Sequence, residues 1–217
     1  MTKILGIDEA GRGPVIGPLV IAGVVVDESG QDKLKELKVK DSKKHLPEQR
    51  EMLFEKIKAI AIDFQIEVIS PENIDSALND ADNNLNWLEG SVIAKIISKL
   101  KPDIVYADCP SNNIIAFTNY VKERILPGND KIKLVIEHKA DEKYVSSSAA
   151  SILAKVTRDR EIEKLKKVYG DFGSGYPSDP KTQEFISKNH NLPIFRKTWS
   201  TWKNISDKKK QSRLADF

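Results

Sequence analysis

The sequence predicts an α/β protein in which helices pack on a mixed β-sheet. Two apolar runs rich in β-branched residues, 4–7 and 19–26, are separated by a short loop, which favours antiparallel pairing. After residue 47, further apolar runs alternate with amphipathic helical patterns, which indicates strands joined through helices. Together these observations predict one mixed sheet flanked by helices.

The first half of the chain carries a signal for each element that follows the two opening strands. Pro47 stands at the N1 position of a predicted amphipathic helix, and residues 64–68 alternate like a half-exposed strand. Ser70 is a predicted N-cap, with Pro71 directly behind it. In residues 85–100 the apolar positions form a long helical stripe, which predicts a buried helix.

The second half continues the alternation of strands and helices. Residues 104–108 form a predicted strand that ends on a carboxylate, and residues 132–136 form another. Residues 146–169 are predicted as a helix with Gly170 as its C-cap, and a short helix is predicted to begin at Pro180. Acidic residues therefore recur where predicted strands end.

The bulk properties favour one domain with an appended tail. The chain has 217 residues, of which 31% are charged and 40% apolar, a composition typical of a soluble globular protein. Its longest apolar run, residues 15–26, is interrupted by glycine and proline and is shorter than the roughly 20 residues of a membrane helix. The N-terminus has no signal-peptide pattern and Cys109 is the single cysteine, so we expect a cytoplasmic location.

The net charge of +3 is unevenly distributed along the chain. Residues 196–217 hold seven Lys or Arg against two Asp, which leaves the rest of the chain mildly acidic. A protein that coats DNA passively needs many phosphate contacts, and this distribution does not provide them. It suits a catalyst whose carboxylates lie among separate basic contacts.

Four carboxylates, at positions 8, 9, 108 and 141, fall at or just beyond the ends of predicted strands, where ligand crevices form in α/β sheets. Together they carry about the charge that two divalent cations need, and such paired ions lie ~3.5–4 Å apart in phosphoryl-transfer sites. No pattern requires the four to meet. The alternation of side chains along a strand even predicts that Asp8 and Glu9 point to opposite faces, unless a turn redirects one of them.

Five ordered motifs resemble type 2 ribonuclease H (ribonuclease HII), most closely its single-subunit archaeal form, over about residues 4–176. The motifs are Asp8-Glu9-Ala10-Gly11-Arg12-Gly13-Pro14, Lys40-Asp41-Ser42-Lys43-Lys44, Tyr106-Ala107-Asp108, His138-Lys139-Ala140-Asp141 and Ser148-Ala149-Ala150-Ser151-Ile152-Leu153-Ala154-Lys155. The resemblance implies the ribonuclease H-like α/β fold with a C-terminal helical segment. It also implies cleavage of the RNA strand of RNA–DNA hybrids, and incision at single ribonucleotides in duplex DNA that leaves a 3′-hydroxyl and a 5′-phosphate.

The same resemblance implies roles for individual residues. The implied catalytic and metal-binding residues, which would hold Mg²⁺ or Mn²⁺, are Asp8, Glu9, Asp108 and Asp141. The implied substrate-binding residues are Gly11, Arg12 and Gly13 at the ribose 2′-hydroxyl, Tyr176 at the sugar of the following deoxynucleotide, and Lys43 and Lys44 at a phosphate. Glycine allows a close backbone approach, and the 2′-hydroxyl is the group that distinguishes RNA from DNA.

Two other classes of function remain as alternatives. Gly11, Gly13 and Gly17 resemble the glycine fingerprint of dinucleotide-binding folds, but the third glycine is one place late and the residues that follow suit a strand. A noncatalytic hybrid-binding protein would need the basic surface without metal ligands. Asp8→Asn separates it from an enzyme, since an enzyme would lose cleavage and keep most of its binding.

Several single residues also have purely structural interpretations. Asp108 and Asp141 could each cap a following helix, and His138 could make a structural hydrogen bond rather than carry a proton. Trp199 and Trp202 are three residues apart, the spacing of one helical face, which favours core packing over base stacking.

The last seven residues have the spacing of a box that binds the sliding clamp (PCNA), formed by Gln211, Leu214 and Phe217. A basic tail without a partner is the alternative. We expect a catalytic domain over residues 1–178, a packed helical segment over 179–205 and a basic tail over 206–217. Single-subunit family members make a monomer the expectation.

Overall fold

The structure is a computed structural model that describes residues 1–39, 46–127 and 131–215, with side chains as far as residue 207. These residues form five strands and nine helices. The strands are β1 (Ile4–Ala10), β2 (Leu19–Val26), β3 (Asp63–Ile69), β4 (Ile104–Asp108) and β5 (Lys133–Glu137). The helices are α1 (Glu28–Glu36), α2 (Pro47–Ile60), α3 (Pro71–Leu78), α4 (Leu85–Leu100), α5 (Ile114–Arg124), α6 (Ala140–Lys143), α7 (Val145–Tyr169), α8 (Pro180–Asn189) and α9 (Ser200–Ala215).

The five strands form one mixed sheet in the order β3-β2-β1-β4-β5. β1 pairs antiparallel with β2 and parallel with β4, and β4 pairs parallel with β5. The predicted mixed α/β sheet is therefore confirmed, including the antiparallel pairing of the first two strands. This order brings the C-terminal ends of β1, β4 and β5 to the same edge of the sheet.

Near the start of the chain, two local features differ from the sequence-based expectation. β1 continues to Ala10, three residues beyond its predicted end, so the first two carboxylates lie within the strand. Helix α1 was not predicted. It begins after Asp27, whose side chain accepts a hydrogen bond of 2.7 Å from the backbone N–H of Gly30, an N-cap that the sequence does contain.

The described chain divides into two compact units. The first consists of residues 1–10, 20–68 and 85–157. β2 is buried along its whole length, and its side chains pack with those of α2 and of the first half of α7. A side chain at Gly6 would overlap the backbone of Ser146, so glycine lets β1 and α7 approach closely in this unit.

The second unit consists of residues 11–19, 69–84 and 158–217. It has a core of its own, which includes the buried residues Phe172, Ile186 and Phe195. Trp199 and Trp202 pack partly buried against this core, as their spacing predicted.

No helix among the described residues has the length and apolar character needed to cross a lipid bilayer.

Candidate active site

Asp8 and Asp108 are brought together by the register of two parallel strands. Ile7 of β1 pairs with Ala107 of β4, so each aspartate is the next residue along its own strand. Because side chains alternate with a period of two, neighbours in equivalent positions of adjacent strands point to the same face of the sheet. The two carboxylates are therefore side by side at the C-terminal ends of β1 and β4.

Glu9 joins these two aspartates, and we call the three residues the carboxylate cluster. One carboxylate oxygen from each of the three lies within 4.8 Å of the others. Strand alternation alone predicted opposite faces for Asp8 and Glu9, so the structure resolves the question left open by the sequence. Two oxygen ligands that each lie about 2.1 Å from one Mg²⁺ are at most about 4.2 Å apart. The carboxylate oxygens of this cluster would therefore have to move only slightly closer together to bind a hard divalent cation.

Asp141 lies in the first turn of α6 and is half-buried. It is not one of the three residues of the carboxylate cluster. Its charge is nonetheless close enough to raise the pKa values of Asp8 and Asp108. The hydroxyl of Ser148 in α7 donates a hydrogen bond to the backbone carbonyl of Asp141, which holds the short helix against α7.

Burial dominates the electrostatics of the cluster. It raises the pKa of Asp8 from 3.8 to about 6, and the charges of Asp141 and Asp108 add to the rise, while the Ser151 hydroxyl opposes it. Burial also raises the pKa of Asp108, although the backbone N–H of Ala140 donates a 3.0 Å hydrogen bond to Asp108 Oδ1 and lowers it. A bound cation would favour the ionised form of both carboxylates.

Glu137 is a further carboxylate at this edge that the sequence did not mark as functional. It pairs with Asp108 in the register of β4 and β5, yet it is not in the carboxylate cluster. Lys143 Nζ lies 2.9 Å from Glu137 Oε2 and lowers the pKa of Glu137. Glu137 is therefore neutralised by a lysine.

His138 Nδ1 lies 3.0 Å from the Cys109 carbonyl oxygen, which is the kind of structural hydrogen bond considered for His138 in the sequence analysis.

Residues 11–13, which we call the Gly-Arg-Gly loop, directly follow β1 in the chain. Gly11 has a φ of +83°, a left-handed conformation that favours glycine. A Cβ there would lie 2.6 Å from Arg158 Cδ and 2.8 Å from the Pro18 carbonyl oxygen. At Gly13 a Cβ would meet only the ring of Tyr176, at 3.4 Å. Gly11 is therefore required by the fold, whereas Gly13 is not.

All three backbone carbonyls of the Gly-Arg-Gly loop accept hydrogen bonds from side chains beyond α8. Arg196, which is fully buried, donates to Gly11 at 2.6 Å and to Arg12 at 2.9 Å, and Trp199 Nε1 donates to Gly13 at 3.1 Å. These bonds hold the loop in one conformation. Sequence reasoning missed Arg196, because a lone arginine in a basic stretch is indistinguishable from a surface charge.

Tyr176 lies in the same unit as the loop and is 43% exposed. Its ring faces Gly13, and the Arg158 guanidinium carbon lies 5.8 Å from the ring centroid. Gly175, with a φ of +77°, accepts a 2.8 Å hydrogen bond at its carbonyl oxygen from the backbone N–H of Val15. The tyrosine is therefore fixed next to the Gly-Arg-Gly loop and presents part of its ring to solvent.

The remaining predicted site residues lie where the structure describes either nothing or the backbone alone. Lys43, Lys44 and Phe217 are outside the described residues. Gln211 and Leu214 belong to the last turns of α9, where the backbone alone is described.

Comparisons with known proteins agree with this architecture. A family model for ribonuclease HII matches residues 5–204. Ribonuclease HII of Pyrococcus furiosus is 50% identical over 222 residues, covering 98% of this chain and 96% of the relative.

Two solved structures are also similar to this chain. The crystal structure of ribonuclease H2 from Pyrococcus horikoshii OT3 matches with a TM-score of 0.86 and 42% identity, covering 95% of this chain and 98% of that one. The PCNA:RNase HII complex from Archaeoglobus fulgidus matches with a TM-score of 0.81 and 43% identity, covering 91% and 95%. Because the family model and the relatives span nearly the whole chain, the chain belongs to the ribonuclease HII family of metal-dependent endoribonucleases.

Proposed function

We propose that this enzyme hydrolyses the RNA strand of RNA–DNA hybrids and also incises duplex DNA on the 5′ side of a single ribonucleotide. Water attacks the phosphorus, the bond to the upstream 3′ oxygen breaks, and that oxygen takes up a proton. The products are a 3′-hydroxyl and a 5′-phosphate. The observation that supports this reaction best is the carboxylate cluster at the end of β1 and β4.

The proposed catalytic residues are the cluster and Asp141. Two bound divalent ions would supply Lewis acidity and lower the pKa of the attacking water. Asp8, Glu9 and Asp108 would ligate through oxygens that are already within 4.8 Å of one another. Asp141, whose charge acts on two of them, would complete the set. Asp8 would bind in its ionised form, which burial disfavours when no cation is present.

The chemistry of the ligands supports Mg²⁺ or Mn²⁺ as the cofactor. All four side chains offer carboxylate oxygens, which suit hard cations such as Mg²⁺, Ca²⁺ and Mn²⁺. Cys109, the single thiol, is buried and donates to the Ser111 carbonyl oxygen at 3.3 Å, so it does not offer a soft ligand.

The proposed reader of the ribose 2′-hydroxyl is the Gly-Arg-Gly loop. Gly13 is exposed and has no Cβ to keep a sugar away from its backbone. The loop carbonyls are bound by Arg196 and Trp199, so the loop presents a preorganised surface to substrate. The loop follows Glu9 after one residue, which links recognition to the carboxylates through the chain itself.

Tyr176 would pack its ring on the sugar of the deoxynucleotide that follows the ribonucleotide, which would favour RNA–DNA junctions. Its exposed ring next to Gly13 supports this proposal. Lys43 and Lys44 would contact a backbone phosphate, an interaction that sets the register of the duplex without reading its sequence.

We further propose that the C-terminal box, Gln211, Leu214 and Phe217, binds the sliding clamp. The similar Archaeoglobus fulgidus protein was solved as a complex with PCNA. Such tethering would raise the effective concentration of the enzyme at replicating DNA without changing its chemistry.

The test is cleavage of a DNA duplex that contains one ribonucleotide, with a long RNA–DNA hybrid in parallel, in Mg²⁺ or Mn²⁺. The wild-type enzyme should incise both, 5′ of the ribonucleotide in the duplex, and Asp8→Asn should lose cleavage while keeping most of its binding. Asp32→Asn, on the exposed face of α1, is the matched control and should cleave normally. Cleavage that survives in Asp8→Asn would remove the carboxylate cluster from the mechanism.

A further inference from the structure

Arg158 of α7 is a buried cation on the same unit as the Gly-Arg-Gly loop. Its residue surface is only 9% exposed. Nε and Nη2 have no hydrogen-bond partner among the described residues. The third nitrogen, Nη1, lies 3.9 Å from Asp159 Oδ1, which is beyond hydrogen-bond length, and the Asp159 side chain is itself 46% exposed.

This arrangement is costly for the folded protein unless an acceptor binds. An arginine keeps its proton at any physiological pH, so it cannot escape the cost of burial by becoming neutral. Native proteins pair the great majority of their buried donors, and an unpaired one calls for an explanation. Because no described residue pairs with Nε or Nη2 of Arg158, these two donors point to an acceptor from outside the chain.

The unpaired atoms also define the shape of that acceptor. Nε–H and Nη2–H lie on one edge of the planar guanidinium and point in parallel. This is the edge that binds two oxygens of a phosphate or carboxylate in a bidentate manner. The other edge is turned toward Asp159. Arg158 thus holds a complete two-pronged anion-binding edge, which is shielded from solvent in the free protein and opens to an anion when the side chain moves.

The neighbours of Arg158 place this edge beside the proposed recognition residues. Its side chain packs so closely on Gly11 that a Cβ there would lie 2.6 Å from Arg158 Cδ and Nε. Its guanidinium carbon lies 5.8 Å from the ring centroid of Tyr176. Tyr176 and Gly13 are both exposed, so substrate can approach on the side of the unit that Arg158 supports.

We infer that Arg158 binds a backbone phosphate of the nucleic acid, next to the sugar that packs on Tyr176, through Nε and Nη2. The inference rests on the proposed function and adds a specificity residue to it. The phosphate supplies the two acceptors that the described residues do not provide around this guanidinium. It also fixes the sugar on Tyr176, since the phosphate and the sugar are covalently joined.

The first experiment measures binding in the cleavage-deficient Asp8→Asn background, with a DNA duplex that contains one ribonucleotide. Arg158→Lys keeps the charge and removes the bidentate edge. It should weaken binding about tenfold and change the slope of log affinity against log salt little, because the charge is kept. Arg158→Gln, which also removes the charge, should reduce that slope by about one. Arg160→Lys, two residues along the same helix and exposed, is the matched control and should change neither quantity. Unchanged affinity in a folded Arg158→Lys, or an unchanged slope in a folded Arg158→Gln, would overturn the inference.

A second experiment does not depend on how well the variant folds. Each phosphate within three nucleotides on the 3′ side of the ribonucleotide is replaced in turn by a neutral methylphosphonate. One replacement should weaken binding by the Asp8→Asn protein about tenfold and have little further effect on the double variant with Arg158→Lys. If no replacement weakens binding, Arg158 does not bind phosphate. Cleavage by the wild-type enzyme tests the proposed function separately, so the two failures are distinguishable.

Discussion

Nη2 of Arg196 donates a 2.6 Å hydrogen bond to the carbonyl oxygen of Gly11, although the two residues are 185 positions apart in the chain. The same buried guanidinium donates to the carbonyls of Arg12 at 2.9 Å and Gly17 at 3.0 Å. It also lies over the ring of Trp199, with 4.9 Å between the guanidinium carbon and the ring centroid. One side chain from the C-terminal region thus organises the loop that we propose reads ribose.

Arg196→Lys should therefore destabilise the protein and impair recognition together. A lysine can reach at most part of this set of carbonyls, so some acceptors are left unpaired, at a cost of about 1–3 kcal/mol for each one. Urea denaturation should show the loss of stability, and KM for a ribonucleotide-containing duplex should rise more than kcat falls. Lys203→Arg, at an exposed position of α9, is the control. Wild-type stability in Arg196→Lys would mean that these bonds contribute little.

Gly11→Ala should impair folding, whereas Gly13→Ala should impair cleavage. At Gly11 the left-handed φ of +83° and the contact with Arg158 make a side chain strained, so alanine should cost roughly 1–3 kcal/mol. At Gly13 the new methyl group would only touch the Tyr176 ring, so the variant should keep wild-type stability. It should still lose most cleavage, because the methyl group stands where the ribose is proposed to approach. Thermal melts and the hybrid assay measure the two effects, and normal cleavage by Gly13→Ala would exclude this loop from ribose recognition.

Local sequence signals accounted for most elements of the fold. The Ser70 cap, for example, accepts a 3.2 Å hydrogen bond from the backbone N–H of Asn73, and Gly170 ends α7 with a φ of +86°. Such caps involve residues at most a few positions apart, so the sequence displays them directly. The pairing of β1 with β2 follows from a short loop in the same way.

Long-range contacts at the candidate site were less predictable. Asp8 and Asp108 meet because β1 and β4 are adjacent in one register, and no single sequence displays a register between strands about 100 residues apart. The role of Arg196 depends on a fold in which the last quarter of the chain packs on the loop after β1 within one unit. The motif resemblance identified the four carboxylates, while the structure shows that three form the cluster and that Asp141 acts on it through its charge.

Tyr176→Ala should reduce incision at single ribonucleotides more than cleavage of long hybrids, because the ring is proposed to pack on a deoxynucleotide sugar. Stacking of an aromatic ring on a base is worth about 1–3 kcal/mol, and a sugar contact of similar size would lower the ratio of kcat/KM values for the two substrates by about fivefold or more. Tyr176→Phe keeps the ring face and should retain the ratio. Equal losses on both substrates in Tyr176→Ala would leave the junction preference without this explanation.

Deleting residues 211–217 should abolish binding to the sliding clamp and leave basal cleavage unchanged. The deletion removes Gln211, Leu214 and Phe217 and none of the proposed catalytic or substrate-binding residues. Calorimetry or surface plasmon resonance with the clamp gives the affinity, and the ribonucleotide duplex gives the activity. Replacing Ser212 by Ala, between the box positions, should preserve binding. Clamp affinity that survives the deletion would place the contact elsewhere.

Asp8 should lower the stability of the metal-free protein as pH rises from about 4 to about 6. Burial raises the pKa of Asp8 from 3.8 to about 6, so in this window the folded protein holds a proton that the unfolded chain has lost. Stability falls with pH wherever the folded state binds more protons, by on the order of 3 kcal/mol for a shift of this size. The raised pKa of Asp108 acts in the same direction. Urea denaturation in EDTA at several pH values measures the decline.

Asp8→Asn and added metal should each remove most of this decline, for different reasons. Asparagine has no charge to bury, so the metal-free variant should be more stable than wild type at pH 7. A divalent cation should stabilise the wild type at pH 7 by pairing with the ionised carboxylate, and it should do so less as pH falls through about 6, where protons compete for Asp8. The variant should gain much less from the metal. A metal-free wild type that loses no more stability between pH 4 and pH 7 than metal-free Asp8→Asn would show that Asp8 is not held in a site that penalises its charge.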